Sequence, residues 1–274
     1  MTFQNDDRVV MTLDAGGTNM KFSAVRGGKL ATGPFSVPSN ADNLERCLAV
    51  IVGGFETVRA ALPVRPVAIS FAFPGPADYP RGIIGDLGNL PAFRGGVALG
   101  PMLEDRFGIP VFINNDGDLF AYGEAIGGFL PYVNGLLEKA GSPKRYSNLF
   151  GVTLGTGFGA GIVRNGELFI GDNSGAGEIW LLRNKLMPGT NIEEGASIRA
   201  VRRVYAERTG LPLDQVPEPK VLFEIGMGQA AGDRAAAVEA FRRLGETVGD
   251  GLAQALTLVD GVGVIGGGVS GAAP

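Results

Sequence analysis

The sequence predicts an α/β protein in which one pattern of strands and helices occurs twice. Apolar runs at residues 8–13 and 149–154 each enter a turn of glycine and threonine, and a second apolar run follows each turn. Such runs are typical of two strands joined by a tight turn. Each half also shows helical periodicity, at residues 42–62 and 238–259, so the sequence favours a duplicated architecture.

The first half continues with helices and strands in alternation. In residues 42–62 apolar side chains recur every three or four positions, which predicts an amphipathic helix that ends before Pro63. Asn115 and Asp116 follow an apolar run, and such side chains commonly cap a helix, here predicted to reach Gly128. The other predicted elements are a strand after Gly27-Gly28, a strand at 67–73, a helix near 99–107 and a strand at 111–113.

The second half ends soon after its last predicted strand. Residues 160–163 precede Asn165-Gly166, which is the strongest short signal for a hairpin. A long helix at residues 238–259 and a strand at 262–265 follow, and only nine residues remain after that strand. Because an α/β unit normally covers its last strand with a helix, we expect the C-terminal helices of the fold to be missing.

The composition excludes several classes of protein. The 274 residues are 45% apolar and 19% charged with a net charge of −4, so there is no basic field for nucleic acid or anionic membrane. No apolar stretch approaches the roughly 20 residues of a membrane helix, and the polar N-terminus does not resemble a signal peptide. We therefore expect a globular protein of the cytoplasm without nucleic-acid or membrane partners.

Histidine is absent from the sequence, and Cys47 is the only cysteine. Disulfides, zinc sites of cysteine and histidine, and catalytic triads are therefore excluded. Any chemistry must use carboxylates, hydroxyls, lysines, backbone amides and a bound ion.

Three glycine turns follow predicted strands, at residues 14–19, 155–159 and 266–268. Their small residues let backbone amides approach an anion closely, and Thr18 and Thr156 add hydroxyl groups. One such turn alone is most often an ordinary hairpin. Three of them at strand ends, where the ligands of open α/β sheets collect, predict a polyphosphate bound between the two halves.

Two other nucleotide-binding patterns fit the sequence poorly. The P-loop pattern does not occur. Gly266, Gly268 and Gly271 match the spacing of the dinucleotide fingerprint after a strand, but the chain offers neither a following helix nor an acidic residue about 20 positions further on. A dehydrogenase is therefore a weak alternative.

Four acidic residues are candidates for a ligand site. Asp116 follows a strand, Glu178 lies in a Gly-Ala-Gly-Glu-Ile segment, and Glu193 and Glu194 begin a predicted helix. Taken singly, Asp116 is a helix cap, and the paired glutamates favour the positive end of a helix. Aimed together into a cleft, such carboxylates would bind a polyhydroxylated ligand.

Five ordered segments resemble the ROK family, which comprises bacterial sugar kinases such as glucokinase and fructokinase together with sugar-responsive repressors. The resemblance covers nearly the whole chain. The segments that carry it are Leu13-Asp14-Ala15-Gly16-Gly17-Thr18-Asn19-Met20-Lys21, Asn115-Asp116, Leu154-Gly155-Thr156-Gly157-Phe158-Gly159-Ala160-Gly161, Gly175-Ala176-Gly177-Glu178-Ile179 and Val264-Ile265-Gly266-Gly267-Gly268-Val269-Ser270.

The resemblance implies the duplicated, ribonuclease H-like fold of the actin-like ATPases, with two lobes around a central cleft. Residues 1–115 would form the N-terminal lobe and residues 116–274 the C-terminal lobe. It also implies an ATP-dependent carbohydrate kinase that uses Mg²⁺ and phosphorylates a hydroxyl of a hexose or an N-acetylhexosamine. Asp116 would be the catalytic base, and a carboxylate suffices because the transition state of phosphoryl transfer is largely dissociative.

The resemblance also assigns binding residues. Asp14 would hold Mg²⁺ through water. The sugar would contact Asn115, Glu178 and Glu193, with Gly75 and Asn89 along the same cleft. ATP would contact Asp14, Gly16, Gly17, Thr18, Asn19, Lys21, Gly155, Thr156, Gly157, Gly159 and, near the adenosine, Gly266, Gly267 and Gly268.

The chain also departs from the family that it resembles. Members usually have Gly-His after Gly-Glu-Ile, and that histidine contacts both the sugar and a structural zinc held by a cysteine-rich segment. Here Trp180 and Leu181 stand at those positions and no cysteine follows, so we expect no zinc. We expect Trp180 to belong to the core rather than to stack on a sugar.

Other functions stay as alternatives. A repressor of this family would need a DNA-binding helix-turn-helix before the first glycine turn, and only 13 residues precede Asp14. A catalytically silent sugar-binding or regulatory protein is the main alternative, because the histidine is missing. The sequence leaves open which sugar and hydroxyl are used, whether ATP or polyphosphate is the donor, and whether the chain forms a homodimer.

Overall fold

The computed structural model describes residues 3–75, 77–85 and 91–272. These residues form two compact units, which are divided in the sequence between Asp116 and Gly117. Each unit has its own main sheet and its own hydrophobic core. Within the described ranges, no helix combines the length and the apolar character needed to span a membrane.

Unit 1 combines a mixed sheet with two helices. Its elements are β1 (Val9–Ala15), β2 (Asn19–Arg26), β3 (Lys29–Pro38), α1 (Leu44–Ala61), β4 (Ala68–Ala72), β5 (Ala77–Asp78), β6 (Ile83–Ile84), α2 (Leu99–Phe107) and β7 (Val111–Asn114). Five strands form one sheet in the order β3-β2-β1-β4-β7, and β5 and β6 pair separately. Strands β1, β4 and β7 run parallel, so their carboxyl ends lie at the same end of the sheet.

Local chemistry explains the boundaries of these elements. Asn43 caps α1, because its side chain accepts a hydrogen bond from the Arg46 N–H at 3.0 Å. The helix ends at Ala61, shortly before Pro63, which confirms the helix predicted from the apolar spacing. Gly27 and Gly28 both have positive φ and form the turn into β3, as predicted.

Phenylalanine rings form the centre of the core of unit 1. Phe22 of β2 and Phe55 of α1 are fully buried and meet edge to face, with ring centroids 5.4 Å apart. Phe55 also packs against Phe71 of β4 and Phe107 of α2, at 5.9 and 6.0 Å. These contacts hold both helices against the sheet and fix the strand ends that carry polar side chains.

Unit 2, with the helix that leads into it, repeats the strand order of unit 1. The elements are α3 (Asp116–Ile126), α4 (Phe129–Lys139), β8 (Leu149–Leu154), β9 (Phe158–Arg164), β10 (Glu167–Leu168), α5 (Ile198–Thr209), α6 (Pro219–Gly226), α7 (Arg234–Val259) and β11 (Val262–Gly266). The sheet has the order β10-β9-β8-β11, with β11 parallel to β8. This order matches β3-β2-β1-β4 of unit 1, which confirms the predicted duplication.

The hairpin and the long helix predicted for this half are both confirmed. The chain turns between β9 and β10 at Asn165 and Gly166, with φ of 53° and 80°. Asparagine and glycine tolerate the positive φ that a tight hairpin turn requires. Helix α7 extends over 26 residues, and Asp233 caps it by accepting a hydrogen bond from the Ala236 N–H at 2.9 Å.

One predicted helix start is wrong. Glu193 and Glu194 lie in a separate turn of 3₁₀-helix, Ile192–Glu194, and α5 begins only at Ile198. The Gly195 N–H donates to the Ile192 carbonyl at 3.0 Å and closes that turn. The two glutamates are therefore set apart from the N-terminus of α5, and their carboxylates contact arginine side chains instead.

Candidate functional site

The carboxyl ends of three parallel strands in unit 1 carry polar side chains. Asp14 of β1 pairs in register with Ala72 of β4, and Ala72 pairs with Asn114 of β7. Because neighbouring strands lie about 4.8 Å apart, Asp14 and Asn114 are about 10 Å apart across the sheet. Asp116 follows at the start of α3, and the side chains of Asp14 and Asp116 are both exposed. The two carboxylates therefore belong to the same end of the sheet.

The first glycine loop, residues 14–19, is the turn between β1 and β2. The Gly16 N–H donates to the Asn19 carbonyl at 3.0 Å, and a Cβ on Gly16 would lie 2.7 Å from that oxygen. Glycine is therefore required there. Buried Ser39 holds the rest of the loop, because its N–H donates to the Thr18 carbonyl at 3.0 Å and its Oγ donates to the Gly17 carbonyl at 2.5 Å.

Asp14 and Lys21 are brought together by the same hairpin. They are partners in the register of β1 and β2, and both line a cavity of about 340 Å³. In the described ranges, no group of three or more histidine, cysteine, aspartate or glutamate side chains could hold a metal ion. A single exposed carboxylate still fits Mg²⁺, which keeps most of its ligands as water and phosphate oxygens.

Tyr79 joins two residues that were predicted to line the sugar site. Its hydroxyl donates to the Phe73 carbonyl at 3.0 Å and accepts a hydrogen bond from Asn115 Nδ2 at 3.4 Å. A Cβ on Gly75 would lie 3.0 Å from the same hydroxyl oxygen. Gly75 and Asn115 therefore lie next to one another around Tyr79, whereas Asn89 lies outside the described residues.

The second glycine loop, residues 155–159, is the turn between β8 and β9. The third glycine turn, residues 266–268, lies beside it, because β11 is parallel to β8 and the Val269 N–H donates to the last carbonyl of β8 at 3.1 Å. Apart from chain neighbours, no atom of the described residues lies within 4 Å of a Cβ placed on Gly155 or Gly268. The structure therefore brings two of the predicted phosphate-binding turns together, and the described residues leave open space at Gly155 and Gly268.

Glu193 and Arg199 contact the second glycine loop. The Phe158 N–H donates to Glu193 Oε2 at 3.1 Å, and Arg199 Nη2 donates to Glu193 Oε1 at 3.0 Å. Arg199 Nη1 also donates to the Thr156 carbonyl at 3.4 Å. Glu193, predicted from the family resemblance as a sugar ligand, thus lies directly against a predicted phosphate loop.

Glu194 extends this ion network away from the loop. Its Oε2 accepts a hydrogen bond from Arg203 Nη1 at 3.0 Å, and its Oε1 accepts one from Arg199 Nη2 at 3.3 Å. The hydrogen bond from Arg203 is the main reason that the pKa of Glu194 lies below its ordinary value. The hydrogen bond to Glu193 is likewise the main reason that the pKa of Arg199 is raised.

Glu178 and Trp180 lie beside β9. Gly177 has a φ of 85°, and a Cβ on it would lie 3.1 Å from the Ala160 carbonyl of that strand. The indole N–H of Trp180 donates to Glu178 Oε2, and the ring packs, half-buried, against the core of unit 2. Leu181 is exposed. Trp180 therefore packs against the core, as expected, and also contacts a predicted sugar ligand.

Three side chains that contact the predicted site residues have no counterpart among the sequence predictions. Ser39, Tyr79 and Arg199 bind the site through hydrogen bonds that join residues 22, 36 and 43 positions apart. None of the three belongs to a glycine turn or to an acidic pair. Local spacing holds no signal for partners at such separations.

The two units share the order of four strands in their main sheets, and each has a glycine loop at its first hairpin. This arrangement defines a protein of the actin-like ATPase class. The chain belongs to the ROK family, because residues 10–274 match the model of that family. The family predicted from the five segments is confirmed.

Solved structures confirm the predicted fold. The crystal structure of a glucokinase from Parabacteroides distasonis is 62% identical, with a TM-score of 0.92, over 99% of this chain and 76% of that one. A ROK family glucokinase from Streptomyces griseus in complex with glucose and AMPPNP is 25% identical, with a TM-score of 0.72, over 96% of this chain and 84% of that one.

Curated relatives match over shorter stretches. The N-acetyl-D-glucosamine kinase of Vibrio cholerae is 31% identical over 170 residues, which are 62% of this chain and 51% of that kinase. The chain spans about half the length of the first curated relatives that it matches.

Proposed function

We propose that this protein phosphorylates a sugar hydroxyl with ATP, and that Asp116 is the general base. The observation that carries the proposal is the register of the parallel strands, which aligns Asp14 at the end of β1 with Asn114 at the end of β7. Asp116 comes two residues after Asn114, so both carboxylates belong to this end of the sheet. Family relatives named as glucokinase and N-acetylglucosamine kinase support this reaction. Glucose is the first acceptor to test, because the relative at 62% identity is a glucokinase.

The two glycine loops would bind the phosphates of ATP. Backbone N–H groups and the hydroxyls of Thr18 and Thr156 are suitable donors to phosphate oxygens. The open space at Gly155 and Gly268 leaves room for an anion to approach the backbone. Residues 266–268, beside the second loop, would then lie near the adenosine.

Asp14 would hold Mg²⁺ through water at the end of β1, where its carboxylate is exposed. Bound Mg²⁺ supplies charge neutralisation for the phosphates. Lys21, the partner of Asp14 in the hairpin, would add a positive charge on the same side of the first loop. Asp14 and Lys21 therefore serve the phosphate donor rather than the sugar.

Asp116 would accept the proton of the attacking sugar hydroxyl, while Asn115 and Glu178 hold other hydroxyls. The amide of Asn115 donates a hydrogen bond to the Tyr79 hydroxyl at 3.4 Å, and this contact orients it in the protein without a ligand. Glu178 is exposed and has one oxygen engaged by Trp180, which leaves acceptor capacity for a sugar hydroxyl. Because phosphoryl transfer is largely dissociative, proton removal can come late, and a carboxylate can serve as the base.

An ADP-release assay over hexoses, N-acetylhexosamines and fructose tests this proposal. We expect Asp116→Asn to lower kcat by a factor of about 100 or more, with the sugar dissociation constant changed only several-fold. Asp105→Asn, at an exposed position of α2, is the matched control and should retain activity. Normal kcat in Asp116→Asn would exclude Asp116 as the base, and a wild-type protein that releases no ADP with any sugar would contradict the kinase reaction.

Trp180 provides a measure of sugar binding that does not depend on turnover. It is the only tryptophan of the sequence, and its indole contacts Glu178. We expect glucose to change the tryptophan fluorescence in the absence of ATP and Glu178→Gln to suppress that change. A fluorescence response without ADP release would identify the alternative function, a catalytically silent sugar-binding protein.

A further inference from the structure

The two glutamates predicted to bind the sugar lie at two separate turns of 3₁₀-helix. Glu178 immediately precedes the turn Ile179–Leu181, and Glu193 lies in the turn Ile192–Glu194. Both carboxylates already accept hydrogen bonds from the chain. A carboxylate has about four acceptor sites, so both side chains can still accept a sugar hydroxyl. The distance between the two carboxylates depends on the segment that joins the turns.

Residues 183–191, here called the connecting loop, lead from the first turn to the second. The Ile192 N–H donates to the Leu182 carbonyl at 2.7 Å, and the first and last residues of the loop form an antiparallel bridge. Ile179 and Ile192, one from each turn, are buried in the core of unit 2. The two turns are therefore joined at the base of the connecting loop.

Asn184 holds the connecting loop from the inside. It is only 3% exposed, and its Oδ1 accepts the N–H groups of Leu186 at 3.0 Å and of Met187 at 3.1 Å. The Asn184 N–H donates to the Thr190 carbonyl at 3.1 Å, and the Thr190 hydroxyl donates to the Met187 carbonyl at 2.8 Å. Asn184 thus ties the two halves of the loop to each other.

The acceptor oxygen is the part of the Asn184 side chain that orders the loop. Its Nδ2 is buried and has no hydrogen-bond partner among the described residues. An asparagine oxygen that accepts N–H groups two or three residues further on fixes a turn locally. The contacts of Oδ1 therefore account for the role of this side chain.

Metal coordination does not explain the order of the connecting loop, because the donor set does not fit. The family resemblance implies a zinc held by a histidine and by cysteines that follow Gly-Glu-Ile. This sequence has no histidine, its one cysteine is Cys47 in α1, and residues 183–191 include no carboxylate. Zinc sites in proteins are built from these three kinds of ligand. The loop is ordered by hydrogen bonds instead.

A further contact of the loop lies at the surface. Lys185 Nζ donates to Asp250 Oδ1 of α7 at 2.8 Å, but the Lys185 side chain is 66% exposed. An exposed ion pair adds little stability, because water and salt screen it. The buried contacts of Asn184 are therefore the ones on which the form of the loop depends.

We propose that Asn184 is a positioning residue for the sugar. By ordering the connecting loop, it sets the distance between the carboxylates of Glu178 and Glu193. This inference rests on the proposed kinase function for the identity of the ligand. Its structural part, that Asn184 orders the loop, concerns the protein without any ligand.

Asn184→Ala tests the inference through the two substrates. The KM for glucose should rise by about tenfold or more and the KM for ATP by no more than about twofold, because a small displacement of positioned groups weakens their action strongly. Titration of the Trp180 fluorescence with glucose, without ATP, should show the same rise in the dissociation constant. An unchanged KM for glucose, or equal changes in both KM values, would overturn the inference.

Two matched variants separate positioning from a general loss of stability. Asn43→Ala removes the same kind of bond from unit 1, where Asn43 Oδ1 accepts the Arg46 N–H at 3.0 Å. Lys185→Ala removes the exposed contact of the connecting loop itself. Both variants should leave the KM for glucose within about twofold of the wild type. A rise in either variant as large as in Asn184→Ala would contradict a special role of Asn184.

Asn184→Ser tests the acceptor oxygen. A serine hydroxyl makes the same kind of turn more weakly than asparagine and adds no charge to a buried site. The KM for glucose should therefore lie between those of the wild type and Asn184→Ala. If the alanine variant does not fold, a rise of about threefold in the serine variant replaces it as the test. A serine variant as impaired as the alanine variant, or one with an unchanged KM for glucose, would contradict the role of the oxygen.

Hydrogen exchange separates this inference from the kinase proposal. In the ligand-free protein, peptides that cover residues 179–193 should exchange about tenfold faster in Asn184→Ala than in the wild type or in Asn43→Ala. Peptides that cover residues 14–20 serve as the internal control and should be unchanged in Asn184→Ala. Equal exchange of residues 179–193 in all three proteins overturns the inference, whether or not the wild type phosphorylates a sugar. Faster exchange in Asn184→Ala, with no ADP release by the wild type, would contradict the kinase proposal alone.

Discussion

Both glycine loops combine glycine and threonine in a turn between two strands, but they are held in different ways. The first loop is closed by its own backbone and by the buried Ser39, whose N–H and hydroxyl contact the Thr18 and Gly17 carbonyls. The second loop is also closed by its own backbone, because the Gly155 N–H donates to the Gly157 carbonyl at 3.1 Å, but the ion pair of Glu193 and Arg199 contacts it as well. The first loop therefore depends on neutral hydrogen bonds within unit 1, and the second combines neutral hydrogen bonds with an ion pair.

This difference shows that a repeated pattern need not be stabilised in the same way in both copies. Neutral backbone contacts are insensitive to salt, whereas a half-exposed ion pair is screened by it. Substitutions that look equivalent in sequence should therefore have different consequences in the two loops.

Alanine substitutions at Gly16 and Gly157 should produce the largest difference between the two loops. A Cβ on Gly16 would meet the Asn19 backbone carbonyl at 2.7 Å, and a Cβ on Gly157 would meet the end of the Glu193 side chain at the same distance. The backbone cannot move away as a side chain can. We expect Gly16→Ala to lower the free energy of unfolding by about 1–3 kcal/mol and Gly157→Ala by less, measured by denaturant titration.

Gly157→Ala should instead raise the KM for ATP, because the displaced Glu193 releases the loop amide. Gly53→Ala in α1, where no atom of the described residues crowds the new Cβ, is the control for the substitution itself. Equal destabilisation by Gly16→Ala and Gly157→Ala would contradict the difference between the loops.

Ser39→Ala should destabilise the first loop by about 1 kcal/mol, because the Gly17 carbonyl loses its hydrogen-bond donor. Thermal or denaturant unfolding measures the effect. Ser36→Ala, at an exposed position of β3, should be close to neutral. If both serine variants unfold alike, the hydroxyl of Ser39 does not hold the loop.

Salt should affect the two loops of the wild-type protein differently. Raising the ionic strength from about 0.05 M to about 1 M shortens the screening length to a few ångströms. We expect amide exchange in residues 154–160 to accelerate several-fold. In residues 14–20 the exchange rate should change only as much as salt changes the intrinsic rate of an unprotected amide. Parallel acceleration in both loops would indicate that charge does not distinguish them.

The smallest effect should be the pH dependence that Glu194 contributes. In the folded protein the pKa of Glu194 is lowered from its ordinary value of 4.5, chiefly by the hydrogen bond from Arg203. The ionised carboxylate therefore stabilises the folded protein fully above pH 4.5, and this stabilisation is lost as the pH falls through the lowered pKa. Because the carboxylate is 36% exposed, we expect about 0.5 kcal/mol or less.

Unfolding of wild type and Glu194→Gln at pH 7 and at pH 3 measures this contribution. The difference between the two proteins should shrink at the lower pH. The effect of Ser39→Ala should stay constant between the same two pH values, since no ionisable group takes part in its contacts. A constant difference for Glu194→Gln would mean that its carboxylate adds no pH-dependent stability.

Much of the fold could be predicted from the sequence because its signals are local. Helices α1 and α7 and the turn at Asn165-Gly166 follow from apolar spacing, caps and residues that tolerate positive φ. Helix α4 escaped prediction, and it contains Pro131 and Gly135, which are poor helix formers. Pro131 is nevertheless tolerated because it lies in the first turn of the helix, where an N–H group would have no partner within the helix.

The candidate site could be predicted only in part. The glycine loops were found because each is one continuous stretch of sequence, and the structure brings the loop at 155–159 next to the turn at 266–268. The roles of Asp116, Asn115 and Glu178 stay predictions until the proposed assays are done. Tyr79, between Gly75 and Asn115, could not be predicted, because its partners are set by the path of the chain.

The sequence by itself determined the family, the duplicated order of strands and the chemistry available to a protein without histidine. Only the tertiary structure decided what surrounds each carboxylate. Glu193 and Glu194 are adjacent in the chain, yet one contacts the amide of Phe158, 35 residues away, and the other contacts Arg203. Hydrogen bonds over such separations depend on how whole strands and helices pack, and no local spacing encodes that packing.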